Sequence, residues 1–164
     1  MNWDIGEVWL FTRSRLGASW EDLDELELSW RPSHNNHSIA EILVHIAAAE
    51  HYWVTRLMGR STDSDEFQNK LDRAVRQGFL IDGEFPFGED ELNRDLVSKA
   101  LEFTFREIET VMTNPTTDLL EMKLKSPIGD NVTGKEGLIR LAQHAGYHTG
   151  QIWLMRMLPN FPAR

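Results

Sequence analysis

Six histidines, His34, His37, His45, His51, His144 and His148, are the groups in this chain best suited to bind or catalyse. His144 and His148 stand four residues apart, which on a helix stacks both imidazoles on one face about one turn apart. Leu141, Ala145, Ile152 and Met155 fall on the same side, so the pair points into an apolar interior, where unpaired imidazoles are costly. His45, at the edge of the stripe formed by Ile42 and Ile46, is the natural third donor from a facing helix. Three neutral imidazoles bind Zn²⁺, Ni²⁺ or Fe²⁺ and leave positions open for water or substrate. Such an ion keeps its full +2 charge and acidifies a bound water or thiol. The competing reading is a set of hydrogen-bonded core histidines, and spacing alone leaves both open.

Other residues carry weaker signals. His51 falls on the side of its helix away from His45 and is expected in solvent. His34 and His37 precede that helix in a loop, where hydration or capping is the default. Glu50, in phase with Leu43 and Leu57, reads as a hydrogen-bonded structural acid. Trp30, beside Pro32, is the tryptophan expected to line a pocket. No Glu-x-x-His, His-Glu-x-x-His, phosphate-binding glycine loop or Gly-x-Ser-x-Gly elbow occurs, which removes the di-iron carboxylate, zinc-protease, P-loop and serine-hydrolase patterns. The chain has no cysteine, so disulfides, thiolate metal sites and cysteine nucleophiles are excluded together.

The elements that must position these groups have a helical period. A first helix is predicted from about Asp4 to Leu16, with Ile5, Val8, Trp9 and Leu16 inward and Gly17 as its stop. A shorter acidic segment follows from Ser19 and is broken at Trp30-Arg31-Pro32. The second helix opens on a capping box, Ser38-Ile39-Ala40-Glu41, and runs to about Met58 before Gly59. Ile39, Ile42, Leu43, Ile46, Trp53 and Leu57 share its inner face. Arg60 to Gly88 is polar and irregular, with a weak helical stretch at Glu66 to Gln77 and a turn at Phe85-Pro86-Phe87-Gly88. A third helix fits Glu89 to Thr113, ended by Asn114-Pro115. A second capping box, Thr133-Gly134-Lys135-Glu136, opens the fourth, which runs to about Leu158. Leu119 to Lys125 is the only strand candidate.

Four long amphipathic segments imply an all-α four-helix bundle, with residues 1–164 expected to form one domain. The connection between the second and third helices, roughly thirty residues, is far longer than neighbouring helices need, so it predicts a crossover in place of simple up-down-up-down order. With 17 basic and 26 acidic side chains the net charge is −9, a poor match for nucleic acid or an anionic membrane surface. Met1-Asn2-Trp3-Asp4 carries an acid where a secretion signal carries basic residues. The apolar run Ile42 to Ala49 is too short to span a bilayer. A cytoplasmic location is therefore expected.

Ser38-Ile39-Ala40-Glu41-Ile42-Leu43-Val44-His45-Ile46, with Glu50 and Trp53, resembles the second helix of the DinB-like (DinB/YfiT) superfamily. His144-Ala145-Gly146-Tyr147-His148-Thr149-Gly150-Gln151-Ile152 is similar to that family's last-helix signature, and Trp30-Arg31-Pro32 takes the place of its Trp-x-Pro turn. The resemblance implies an up-down-down-up, left-handed bundle in which His45, His144 and His148 bind one divalent metal, and it allows a homodimer. Relatives include transferases that use low-molecular-weight thiols, bacillithiol or mycothiol, so it further implies a thiol-dependent S-transferase acting on a small electrophile. A metal-dependent small-molecule hydrolase and a non-catalytic, stress-associated metal-binding protein are the alternatives. Gln151 is placed to orient a ligand or a metal-bound group. Arg56 reads first as a salt-bridge residue and second as a partner for a cosubstrate carboxylate.

Overall fold

The computed structural model describes residues 5–60, 65–80 and 83–162. Its long helices are α1 (Ile5–Trp20), α3 (Ile39–Leu57), α5 (Arg94–Thr113) and α7 (Gly134–Arg156). Three short helices, α2 (Glu25–Ser29), α4 (Glu66–Ala74) and α6 (Thr117–Glu121), connect them together with an antiparallel hairpin of β1 (Lys123–Lys125) and β2 (Asn131–Thr133). None of the described helices is long and apolar enough to cross a membrane. Met1 to Asp4 lie outside the described residues, and with them the proposed start of the first helix and the segment tested for an export signal.

Both expected capping boxes form. The Ser38 side chain accepts from the Glu41 N–H while Glu41 accepts from the Ser38 N–H, and Thr133 and Glu136 repeat the exchange, satisfying amides that a helix start leaves unpaired. A third box, Asp24 with Glu27, starts α2. Gly59, at φ 61°, follows the end of α3.

Several boundaries differ from expectation. Gly17 does not stop α1; its carbonyl accepts from the Glu21 N–H at 3.0 Å and the helix reaches Trp20. Val8 is exposed, while Trp9 and Leu16 are buried. The third helix starts at Arg94, because the Asn93 side chain caps it by accepting from the Leu96 N–H, and this leaves Glu89 to Leu92 in the preceding turn. Leu119 to Lys125 divides between the end of α6 and the three residues of β1.

Contacts along the helices set their directions. Trp9 stacks on Phe105, and Arg13, one turn further along α1, donates to the Leu101 carbonyl, one turn earlier in α5; these helices are antiparallel. Gly146 lies by Thr12, and Arg156 reaches the Ser19 carbonyl, so α1 and α7 are parallel. Gly137 sits under Trp53 and His144 beside His45, so α7 and α3 are antiparallel. The order is up-down-down-up. Because α3 and α5 are parallel, the chain must travel the length of the bundle between them, which explains the long connection.

All of α3 is buried except Arg56, because α2, α4, α5 and α7 all pack on it. Within it Glu50 is 0% exposed. It accepts from Trp9 Nε1 at 3.1 Å and Thr104 Oγ1 at 2.7 Å, and Arg13 Nη1 stands 3.3 Å away. One carboxylate thus joins α1, α3 and α5, the structural role its phase suggests. Glu50→Ala is expected to lower the unfolding free energy by about 3 kcal/mol, since it leaves the buried Nη1 of Arg13 without its carboxylate and the Trp9 and Thr104 donors without an acceptor. Urea titration checks this, and a loss below about 1 kcal/mol would show that the network adds little.

Candidate metal centre

Three imidazoles from two helices converge where α3 crosses α7. His144 Nε2 lies 3.1 Å from His45 Nε2 and 3.1 Å from His148 Nε2, and one ligand atom from each ring falls within 4.8 Å of the others. Bonds of about 2.1 Å to one ion place neighbouring donors roughly 3.0–3.4 Å apart, so this spacing suits a single metal. The four-residue step in α7 brings His144 and His148 to one face, and the antiparallel α3 supplies His45.

The outer nitrogens decide which way the lone pairs point. His45 Nδ1 donates to the Ala74 carbonyl at 3.0 Å, and His148 Nδ1 donates to Gln151 Oε1 at 2.6 Å. With those protons on Nδ1, both Nε2 atoms carry lone pairs turned toward the centre. Gln151 is itself held, donating from Nε2 to the Tyr147 hydroxyl at 3.2 Å. His144 Nδ1 is buried without a hydrogen-bond partner among the described residues. Burial pushes His45 down to about 3 and His144 to about 2, the other histidines adding to the effect, and burial also lowers His148. All three are neutral at neutral pH. Without an ion, His144 Nε2–H can donate to one of these lone pairs; with its proton on Nδ1, all three Nε2 lone pairs face one point that a cation can occupy, so the donor set fits a divalent metal ion.

The surroundings are aromatic and apolar. Phe79, in the segment after α4, stacks flat on His45 with centroids 3.8 Å apart, and His37 stacks on the other side of Phe79 at 3.7 Å. The histidines open on a cavity of about 880 Å³ walled by Ile42, Trp53, Val75, Met155 and Leu158. Trp53 can stand there because Gly137 has no side chain; a Cβ at that position would fall 2.5 Å from the indole. The hairpin turn closes one side with Ser126, Pro127 and Ile128. It is tied down by the Tyr52 hydroxyl, which donates to the Lys125 carbonyl at 2.9 Å.

The other expected site residues scatter. His34 is exposed, while His37, half-buried and stacked on Phe79, lines the cavity. Trp30 meets Phe161 edge to face and is not in the cavity wall. Arg56 pairs with Asp72 and lies 3.7 Å over the Tyr52 ring, which makes it a salt-bridge residue away from the cavity. His51 is not in solvent; it is 1% exposed, because α4 packs along α3 and Phe103 of α5 comes within 5.8 Å of its ring. Several wall residues, Arg140, Tyr147 and Phe79 among them, are not reached from the sequence. Arg140 and Tyr147 stand four before and three after His144, a spacing that could have placed them on its face. Phe79 has no periodic signal in a polar stretch.

Neither ring nitrogen of His51 has a hydrogen-bond partner among the described residues, and burial, the leading cause, lowers its pKa from 6.5. Below that value the unfolded chain binds a proton that the folded one refuses, so folding stability falls as pH drops through this range. In metal-free protein His51→Leu is expected to keep or raise the melting temperature at neutral pH. It should also flatten the fall in stability on mild acidification. Urea midpoints at the two pH values check both, and an unchanged slope would mean that His51 titrates normally.

The family model described as the DinB superfamily matches residues 9–152. No curated protein matches the chain.

Proposed function

The chain belongs to the DinB superfamily, and with that membership as premise we propose that it is a metal-dependent enzyme of the thiol S-transferase type. His45, His144 and His148 hold one divalent ion, zinc, nickel or iron, through Nε2. The observation that carries this reading is the convergence of three inward-facing, neutral imidazole nitrogens at the wall of an apolar cavity. When bound, such an ion supplies Lewis acidity, because three neutral ligands leave its charge uncompensated and the pKa of a nearby thiol falls.

The chain's own groups do the rest. The Ala74 carbonyl and Gln151 Oε1 accept hydrogen bonds from the Nδ1–H groups of His45 and His148 and fix both rings. Phe79 covers one face of His45 and keeps water from it. Trp53, Ile42 and Met155 offer an apolar wall for the body of a small electrophile. In the transfer the thiol proton goes to solvent, the sulfur forms a bond to the electrophilic carbon, and the leaving group departs with the electrons of the bond that breaks.

Elemental analysis of untagged protein tests the centre. About one metal per chain is expected in the wild type and in His51→Leu, and little in His45→Ala or His144→Ala, with helicity retained in each. Stoichiometric metal in both of the latter would overturn the ligand assignment. Metal-loaded protein is then expected to consume low-molecular-weight thiol in the presence of small electrophiles. Ester or amide cleavage without thiol loss would assign a hydrolase instead, and metal-dependent melting without turnover a binding protein.

A further inference from the structure

The cavity is a charge anomaly. The chain carries 26 acidic residues, yet among the described residues that line the cavity none is Asp or Glu, and Arg140 is the one with a fixed charge. Arg140 lies one helical turn before His144, so its Cβ and that of His144 are about 6 Å apart on one face of α7. Its guanidinium pairs with Asp130, Nη1 to Oδ1 at 3.1 Å and Nη2 to Oδ2 at 2.7 Å. That uses two of five N–H donors and leaves three. Asp130 also accepts from the Ser126 hydroxyl, and the Ser126 N–H donates to the Asp130 carbonyl at 2.9 Å. The aspartate therefore belongs to a closed turn that holds the guanidinium at the cavity wall. Both side chains are over two-fifths exposed, where an ion pair is weak and readily shared with another anion.

We infer that the cavity selects a small organic anion with an apolar body, and that Arg140 is the residue that binds its carboxylate while the remainder lies toward the three histidines. The inference deepens the metal-enzyme reading, since wall and histidines are one site, and it assigns one of the two reactants as a carboxylate. Trp53, Phe79 and Ile128 take the body. Arg140 meets the carboxylate through N–H donors that Asp130 leaves free, and a neutral carboxamide in the same place loses the charge-assisted part of that contact.

Calorimetric titration with phenylalkanoates, from phenylacetate to 5-phenylpentanoate, and with the matching carboxamides tests this on zinc-loaded and metal-free protein. Wild type is expected to prefer at least one carboxylate over its amide by about tenfold. Arg140→Gln should remove that preference, leaving zinc content and melting temperature close to wild type. Asp130→Asn should keep or strengthen it, because the guanidinium gains free donors. Equal binding of acids and amides, no binding of any acid at millimolar concentration, or an acid preference that survives Arg140→Gln would each overturn the inference. So would an Asp130→Asn variant that behaves like Arg140→Gln, which would mean that Arg140 acts only by anchoring the hairpin. Failure of the metal reading shows separately, as wild-type protein that takes up no zinc. The Arg140 preference is then still decided on the metal-free protein.

Discussion

The close approach of α3 and α7 is the constraint on which the rest depends. At one end the Trp53 indole lies directly on Gly137, where no side chain could fit. Further along the same seam His45 meets His144. The two contacts belong together. Bare glycine lets the helices come near enough for imidazoles on facing sides to touch, and the antiparallel direction brings residues ninety-nine apart in sequence into register. The bundle core holds the three rings at this spacing. Glu50 adds to that hold by tying α3 to α1 and α5.

Polarity in this protein is sorted by depth. Acidic residues dominate the composition, but the buried carboxylate Glu50 has three partners and the cavity wall has no acid among its described residues. The histidines near the centre are held neutral by burial. A cation placed among them meets no neutralising carboxylate at close range, and the low local dielectric preserves its field.

Much of the architecture was legible in short motifs. Two Ser/Thr-x-x-Glu boxes placed the starts of α3 and α7, because capping is a local exchange of hydrogen bonds between residues three apart. The long second connection foretold the crossover, and the family resemblance foretold the chain direction that the contacts display. The errors have a common cause. His51 was assigned to solvent on the assumption that α3 has one buried face, yet α4, from the weakly patterned connection, packs on the other. Trp30 was assigned to a pocket from a neighbouring proline, yet its contact is Phe161, far along the chain and outside any local window.

Spacing along single elements was enough for the four long helices, the caps of α3 and α7, the inward phase of His144 and His148, and the candidacy of His45. The rest came from contacts between elements. Packing set Phe79 against His45, turned the His45 Nδ1–H to the Ala74 carbonyl, paired Arg56 with Asp72 and brought Arg140 to the cavity wall. Helical periodicity tells which way a side chain points from its own axis. What it meets there depends on helix direction, on close approach at glycine, and on where an irregular connection comes to rest, and these are settled by packing between elements distant in sequence.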